Sequence, residues 1–210
     1  MSNLLSIDSP LVRFLTKLAD LMLLNLVFIV TSLPLVTLGA SLTALSHTAM
    51  RIVTDDYESV SATYLRSFRS NLKAGSLLGL IGLGLLAVAG AWYVVIDNLR
   101  VSTTVKAALF VVFFLALYRL LGTLLFVFPY QATFANTVPE VLNNARKMSA
   151  RHPIACLTVL LVSVPSILVT VFVPAAVGWG LVWLAVGFAG IAFLTGIVFV
   201  GVFRRYGLNA

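Results

Sequence analysis

The chain is built around long apolar runs that contain almost no charged residue. A hydrocarbon core about 30 Å thick needs about 20 helical residues, so an uncharged run of that length predicts one membrane crossing. Such runs occupy residues 21–46, 74–96, 107–128 apart from Arg119, and 153–203. The run at 74–96 is the cleanest prediction of a single span.

The last run is too long for a single crossing. Residues 153–203 would form a helix more than twice as long as the membrane is thick. Pro174, Gly178 and Gly180 cluster near its middle and predict a turn at residues 174–180. We therefore predict a helical hairpin here, and an all-α polytopic membrane protein with about five transmembrane segments overall.

The first run contains a break. Pro34 cannot donate a hydrogen bond to the carbonyl of Val30 and disfavours helical geometry at Leu33, so we expect the helix to be interrupted between Pro34 and Gly39. Non-helical backbone persists at membrane depth only where protein or water satisfies it. The segment is therefore either a kinked crossing or a re-entrant segment buried among other helices. It also carries small polar residues, namely Asn25, Thr31, Ser32, Thr37, Ser41 and Thr43.

Composition supports a single integral membrane domain over residues 1–210. The chain is 60% hydrophobic and 10% charged, with a mean hydropathy of +1.07, whereas soluble domains carry about 25% charged residues. A net charge of +7 on so apolar a chain is typical of membrane orientation, not of a nucleic-acid interface. Cys156 is the one cysteine, so an internal disulfide is excluded. The expected partner is the lipid bilayer, with no nucleic acid and no cofactor.

Lys and Arg are divided unequally between the loops. Five full crossings place nine of them on one side and four on the other, whereas a first segment that enters and leaves on one face gives eleven against two. The positive-inside rule favours the second arrangement and accepts the first. Both predict a multi-pass protein of the bacterial plasma membrane with its long loops and C-terminus in the cytoplasm. Only the side of the N-terminus differs.

Two stretches between the apolar runs have amphipathic patterns. The apolar positions recur at helical spacing as Tyr64, Leu65, Phe68 and Leu72 in residues 59–73, and as Val138, Val141, Leu142, Ala145 and Met148 in residues 138–151. We expect both to form amphipathic helices on the cytoplasmic side. For residues 59–73 a solvated linker that supplies positive charge is the alternative.

Arg119 is the one basic residue inside an apolar run. It lies 10 residues before Pro129 and 13 after Lys106, too deep for its side chain to reach either interface comfortably. An intramembrane Arg is a functional-site hypothesis by default, here a site for an anionic substrate or an ion. The structural alternative is that Arg119 binds carbonyls released at Pro34 or pairs with Asp20, because the apolar runs contain no acidic residue.

Motifs for catalysis are absent from the sequence. His47 and His152 have no second ligand at metal-binding spacing, and no carboxylate pair or nucleophile elbow is present. Gly75 and Gly79 form a GxxxG, which is a helix-packing signal. We expect no enzymatic activity.

Two blocks of the sequence resemble a known family. The residues from Phe14 to Asn25, the run SLPLVTLGASLTAL at 32–45 and the block FRSNLKA at 68–74, which contains Asn71 and Lys73, resemble the YesL-like bacterial membrane proteins. This is a family with a domain of unknown function. The resemblance covers about residues 14–75, and Ser46 stands where the family pattern has an aromatic residue.

The resemblance implies a multi-helix inner-membrane protein without an established activity, encoded beside carbohydrate uptake systems of the ABC type. It suggests an accessory or scaffold for a sugar ABC permease, and it supplies no catalytic residue. In this hypothesis small-residue faces pack the helices, around Gly39, Gly75 and Gly79.

The second hypothesis is a small facilitator for a sugar or an anion. Its path would be lined by the polar residues of the broken segment together with the intramembrane arginine, namely Ser32, Thr37, Ser41 and Arg119. Liposome flux distinguishes it from the accessory, which transports nothing.

Overall fold

The computed structural model describes residues 10–134, 136–172 and 180–207, and within these ranges the chain is helical, with no strand. The helices are α1 (Pro10–Ser32), α2 (Leu38–Val53), α3 (Val60–Ser70), α4 (Leu72–Asn98), α5 (Thr103–Thr133), α6 (Val138–Arg151), α7 (Pro153–Phe172) and α8 (Gly180–Tyr206). α8 contains a π-helical turn at Trp183–Gly187 and ends in a 3₁₀ turn at Arg204–Tyr206.

Among the described residues, four helices are long and apolar enough to cross a membrane, namely α1, α4, α5 and α8. α6 and α7 meet at a bend of 99° and make a fifth candidate if the pair is one span. α4 and α5 contain the predicted runs at 74–96 and 107–128. The all-α fold with several membrane-spanning helices is confirmed. Most of the predicted turn at 174–180 lies outside the described residues.

The first apolar run forms two helices, α1 and α2, separated by the predicted break. α1 begins at Pro10, well before the predicted start at Leu21, because proline is accepted in a first helical turn and the charged side chains of residues 13–20 lie at the polar end of the helix. The break falls at Pro34 as predicted. A 3₁₀ turn at Leu35–Thr37 then leads into α2.

The start of α1 and the end of α2 lie close together; we call this the open end of the pair. Lys17 forms an ion pair with Asp55 (N–O distance 2.9 Å), and the Tyr57 hydroxyl donates a hydrogen bond of 2.5 Å to the Asp20 carboxylate. The two helices therefore form an antiparallel hairpin, the α1–α2 hairpin, closed by the turn at residues 33–37. This geometry corresponds to the arrangement with eleven basic residues on one side.

A glycine contact fixes α2 against α4. A Cβ atom on Gly39 would lie 2.0 Å from the Gly75 carbonyl oxygen and 2.7 Å from the Gly79 Cα. Only residues without a side chain allow two backbones to approach so closely. The packing role predicted for these three glycines is confirmed.

Two clusters of buried side chains form the closely packed part of the molecule, which we call the base. One joins α2 and α8 to α5, α6 and α7 around Phe126, Val141 and Phe203, and the other joins α1, α2 and α3 around Leu24, Ile52 and Tyr64. Burial of such apolar side chains supplies the main driving force for packing in aqueous regions, whereas close van der Waals contact supplies it in lipid. The base therefore brings every described helix into contact with at least one other.

Both amphipathic stretches are helices of this base. Tyr64 of α3 is fully buried against α1 and α2, and Val141, Ala145 and Met148 of α6 face α5. The helix predicted at 138–151 is confirmed at those bounds, and residues 60–70 are a packed helix and not a linker. The apolar face of α3 contacts protein where an interfacial helix would contact lipid.

The outer halves of α4 and α5 stand apart from the base. Across residues 83–120 Ile96 is the one buried side chain, and Val112 is 66% exposed. The two helices pack on each other through Tyr93, whose ring lies 5.7 Å from Phe110 and 6.0 Å from Phe113. We call residues 83–120 the distal hairpin.

Candidate functional site

Asn25 connects α1 to the irregular part of α8. Its side-chain nitrogen donates hydrogen bonds of 2.8 Å to the carbonyls of Trp183 and Leu184, and its oxygen accepts a 3.0 Å bond from the Ala189 N–H. The side chain is fully buried. These bonds surround the π-helical turn, where the regular ladder of helical hydrogen bonds is interrupted. Asn25 therefore supplies partners to backbone groups that the membrane cannot satisfy.

The polar residues of the α1–α2 turn bond mainly to its own backbone. Thr37 donates to the carbonyls of Thr31 and Pro34, each at 2.8 Å, and Ser32 donates to Ile29 at 3.0 Å. Tyr64 of α3 approaches the same region, with its hydroxyl 2.5 Å from that of Thr31. The hydroxyl groups of Ser32 and Thr37 therefore satisfy backbone carbonyls at the break.

Ser41 lies one turn inside α2 and is fully buried. Its hydroxyl has no hydrogen-bond partner among the described residues, and its backbone carbonyl lies 3.5 Å from the Tyr64 hydroxyl. Gly39 precedes it in the close contact with α4. These positions place Ser41 at the junction of α2, α3 and α4.

Arg119 is exposed on the distal hairpin and reaches neither of its predicted structural partners. Asp20 instead accepts from Tyr57, and the Pro34 carbonyl accepts from Thr37. Within the described ranges the Arg119 side chain has no hydrogen bond or ion pair. Neither predicted partner therefore contacts Arg119 in the structure, because the sequence gives the depth of a residue along a helix but not the direction of its side chain around the helix.

A central cavity of about 440 Å³ lies between the base and the distal hairpin. Its lining contains no charged residue. Thr195 turns its hydroxyl to the carbonyl of Ile191, at 2.9 Å, and so presents mainly carbon to the cavity. Arg119, Ser32, Thr37 and Ser41 are not part of the lining of this cavity.

A polar pocket of about 570 Å³ lies at the opposite end of α2. It is lined by both signs of charge and by neutral hydrogen-bonding groups, including Arg51, Arg66, Glu58, His47, Ser67 and Asn71. Arg51 is already paired with Asp56. The pocket therefore presents hydrogen-bonding groups without a strong excess of charge.

Asn71 links the pocket to α5. Its side chain donates to the Ser67 carbonyl at 3.0 Å and accepts from Gln131 at 2.9 Å. Lys73, two residues later, is exposed at the start of α4. The sequence does not point to Ser67 or Gln131, because Gln131 meets Asn71 only through the packing of α4 on α5.

Several polar atoms of the pocket are free to bind a ligand. Three buried polar atoms at or beside the pocket have no partner within the described part of the chain, namely His47 Nδ1, Ser67 Oγ and Gln131 Oε1. No group of three His, Cys, Asp or Glu side chains in the described ranges is placed to hold a metal ion. Such atoms can bond water or a polar ligand.

The comparisons with known proteins identify one family model. Residues 21–94 match the model described as "Protein of unknown function, DUF624". This range covers most of the α1–α2 hairpin, α3 and most of α4, and it contains Asn25, the glycine contact, Asn71 and Lys73. Nothing among curated proteins or solved structures matches the chain.

Proposed function

We propose that this membrane protein is a non-enzymatic accessory or scaffold that binds a partner membrane protein through its distal hairpin. The YesL-like resemblance suggests that the partner is a permease of an ABC-type carbohydrate uptake system. The match at residues 21–94 to an uncharacterised domain is compatible with this assignment.

The observation that carries the proposal is the position of Arg119. It lies on the distal hairpin, whose surface is apolar. The other charged residues of this hairpin all lie at its tip, between Asp97 and Lys106. A guanidinium in lipid is costly unless it is paired or solvated. An acidic or carbonyl group on a neighbouring permease helix would supply that partner, and the apolar side chains around it would pack against the same helix.

The central cavity argues against conduction of a polar solute. Sugars and anions need polar groups along their path to replace water, and the described cavity wall is almost entirely carbon. The accessory role therefore fits the described geometry better than the facilitator.

The base is the cytoplasmic part of the molecule in this proposal. It contains α3, α6 and the open end of the α1–α2 hairpin, and it would carry eleven of the basic residues outside the spans. The plasma membrane of a bacterium follows from the same resemblance and from the positive-inside rule.

Site-specific photo-crosslinking tests the proposal. A photoreactive phenylalanine at Val94 or Val112 of the distal hairpin, 57% and 66% exposed, should capture an identified permease subunit when the two proteins are coexpressed. The same residue at Ile154 of α7, which is 80% exposed, is the matched control and should not capture it.

Arg119→Gln should lower the crosslinking yield several-fold, whereas Arg100→Gln in the loop at the tip of the distal hairpin should leave it unchanged. Absence of permease adducts from both hairpin positions would reject the proposal, and equal capture from Ile154 would also reject it.

A further inference from the structure

We propose that the central cavity is a binding site for one acyl chain of a bilayer lipid. The chemistry of the wall is the first argument. Leu42, Leu86, Leu124, Phe128 and Ile191 face the space from four helices, and no lining residue is charged. A hydrocarbon chain can leave the bilayer for such a wall without losing any hydrogen bond.

The size of the cavity suits a hydrocarbon chain. It holds about 440 Å³, and a flexible chain can adapt to the shape of such a space. The volume lies within the range of about 300–1,000 Å³ that is typical of small-molecule sites.

The cavity borders surface that is exposed on membrane-spanning helices. Leu83 and Leu86 of α4 line the cavity and are 40% and 38% exposed, and the neighbouring outward side chains of the distal hairpin are also apolar. A chain can move from the lipid next to α4 into the cavity along a continuous apolar surface. No polar group has to be crossed on this route within the described residues.

The irregular turn of α8 shapes the opposite wall. Trp183, the first residue of the π turn, and Phe188, which follows it, both line the cavity, with their ring centres 5.0 Å apart. Asn25 holds this turn through its bonds to Trp183, Leu184 and Ala189. The buried Asn25 is thus a positioning residue for the site, and its bonds explain how an irregular helix can form a fixed wall.

The site is tested with a photoreactive lipid. The protein would be placed in phosphatidylcholine vesicles that contain a small fraction of phosphatidylcholine with a diazirine near the end of one acyl chain. After illumination, peptide mapping should find adducts on cavity residues such as Leu124 and Ile191, in addition to adducts on the outer surface.

A filled cavity provides the decisive comparison. Ala192→Phe adds bulk to the wall and should reduce the cavity adducts at least five-fold while leaving those on the distal hairpin unchanged. Val94→Phe adds similar bulk to an exposed position and should leave both sets unchanged. Both variants would be checked for folding by gel filtration and thermal unfolding, and Leu86→Trp serves as a second filled-cavity variant.

Adducts confined to the outer surface of the protein would overturn the proposal. Cavity adducts that persist undiminished in folded Ala192→Phe and Leu86→Trp would overturn it as well. Neither result depends on the permease partner, because the vesicles contain no other protein.

Discussion

Asn25 shows how one side chain can determine the geometry of two helices. It satisfies two carbonyls and one N–H of α8 from a fully buried position in α1. A buried polar group that loses its partner costs about 1–3 kcal/mol. Within a membrane the measured averages are smaller, since other partners are found in the unfolded reference state.

Asn25→Leu should therefore destabilise the protein by about 1–2 kcal/mol, because it leaves backbone groups of the π turn without partners. Asn98→Leu is the control, since the Asn98 side chain is exposed and donates to the Val94 carbonyl of its own helix, at 2.8 Å. Thermal unfolding in detergent would measure both. Equal stability of the two variants would show that Asn25 does not hold α8.

Gly39→Ala tests the close contact between α2 and α4. The added methyl group would overlap the Gly75 carbonyl oxygen, which is backbone and cannot rotate away, so we expect a loss of about 1–3 kcal/mol. Gly84→Ala is the matched control, because a methyl group added there would meet nothing within 4 Å. A Gly39→Ala protein as stable as the Gly84→Ala protein would exclude the tight crossing.

The roles of some of these residues can be predicted from the sequence and those of others cannot, for a physical reason. The break at Pro34 and the packing at Gly75 and Gly79 follow from local backbone chemistry, so they are predictable. In the sequence Asn25 is only a polar residue in an apolar run, because its partners lie about 160 positions away in the chain. The two partners predicted for Arg119 bond to other residues, because the sequence gives depth along a helix but not the packing around it.

At the scale of the elements, Tyr57 links the two helices at the end of the α1–α2 hairpin opposite the turn at residues 33–37. Burial and the hydrogen bond to Asp20 raise the pKa of Tyr57 well above its ordinary value. A raised folded-state pKa means that the contribution to stability is complete below about pH 10, the ordinary pKa of tyrosine, and is lost as the pH rises beyond it.

The wild-type protein should accordingly lose thermal stability more steeply than Tyr57→Phe as the pH rises above about 10, because the variant has no phenol to ionise. The difference between the two proteins is the quantity to follow. Parallel pH profiles would mean that the Tyr57 contact with Asp20 contributes nothing to the folded state.

At the scale of the whole molecule, the packed base and the distal hairpin differ in what surrounds them. Uncharged runs predict the spans because hydrophobic length is a property of local sequence. The sequence is compatible with two topologies of the first apolar run, since both satisfy the positive-inside rule. The Lys17–Asp55 contact distinguishes between these topologies, because it brings the start of α1 to the loop after α2.

Cysteine labelling from the two sides of the membrane tests this arrangement most directly. In a Cys156→Ala background, single cysteines would be placed at Thr16 near the start of α1, at Arg69 in α3 and at Arg100 in the distal hairpin loop, all of which are exposed. An impermeant thiol reagent should label Thr16→Cys and Arg69→Cys from the same side and Arg100→Cys from the other. Labelling of Thr16→Cys and Arg69→Cys from opposite sides would contradict the α1–α2 hairpin.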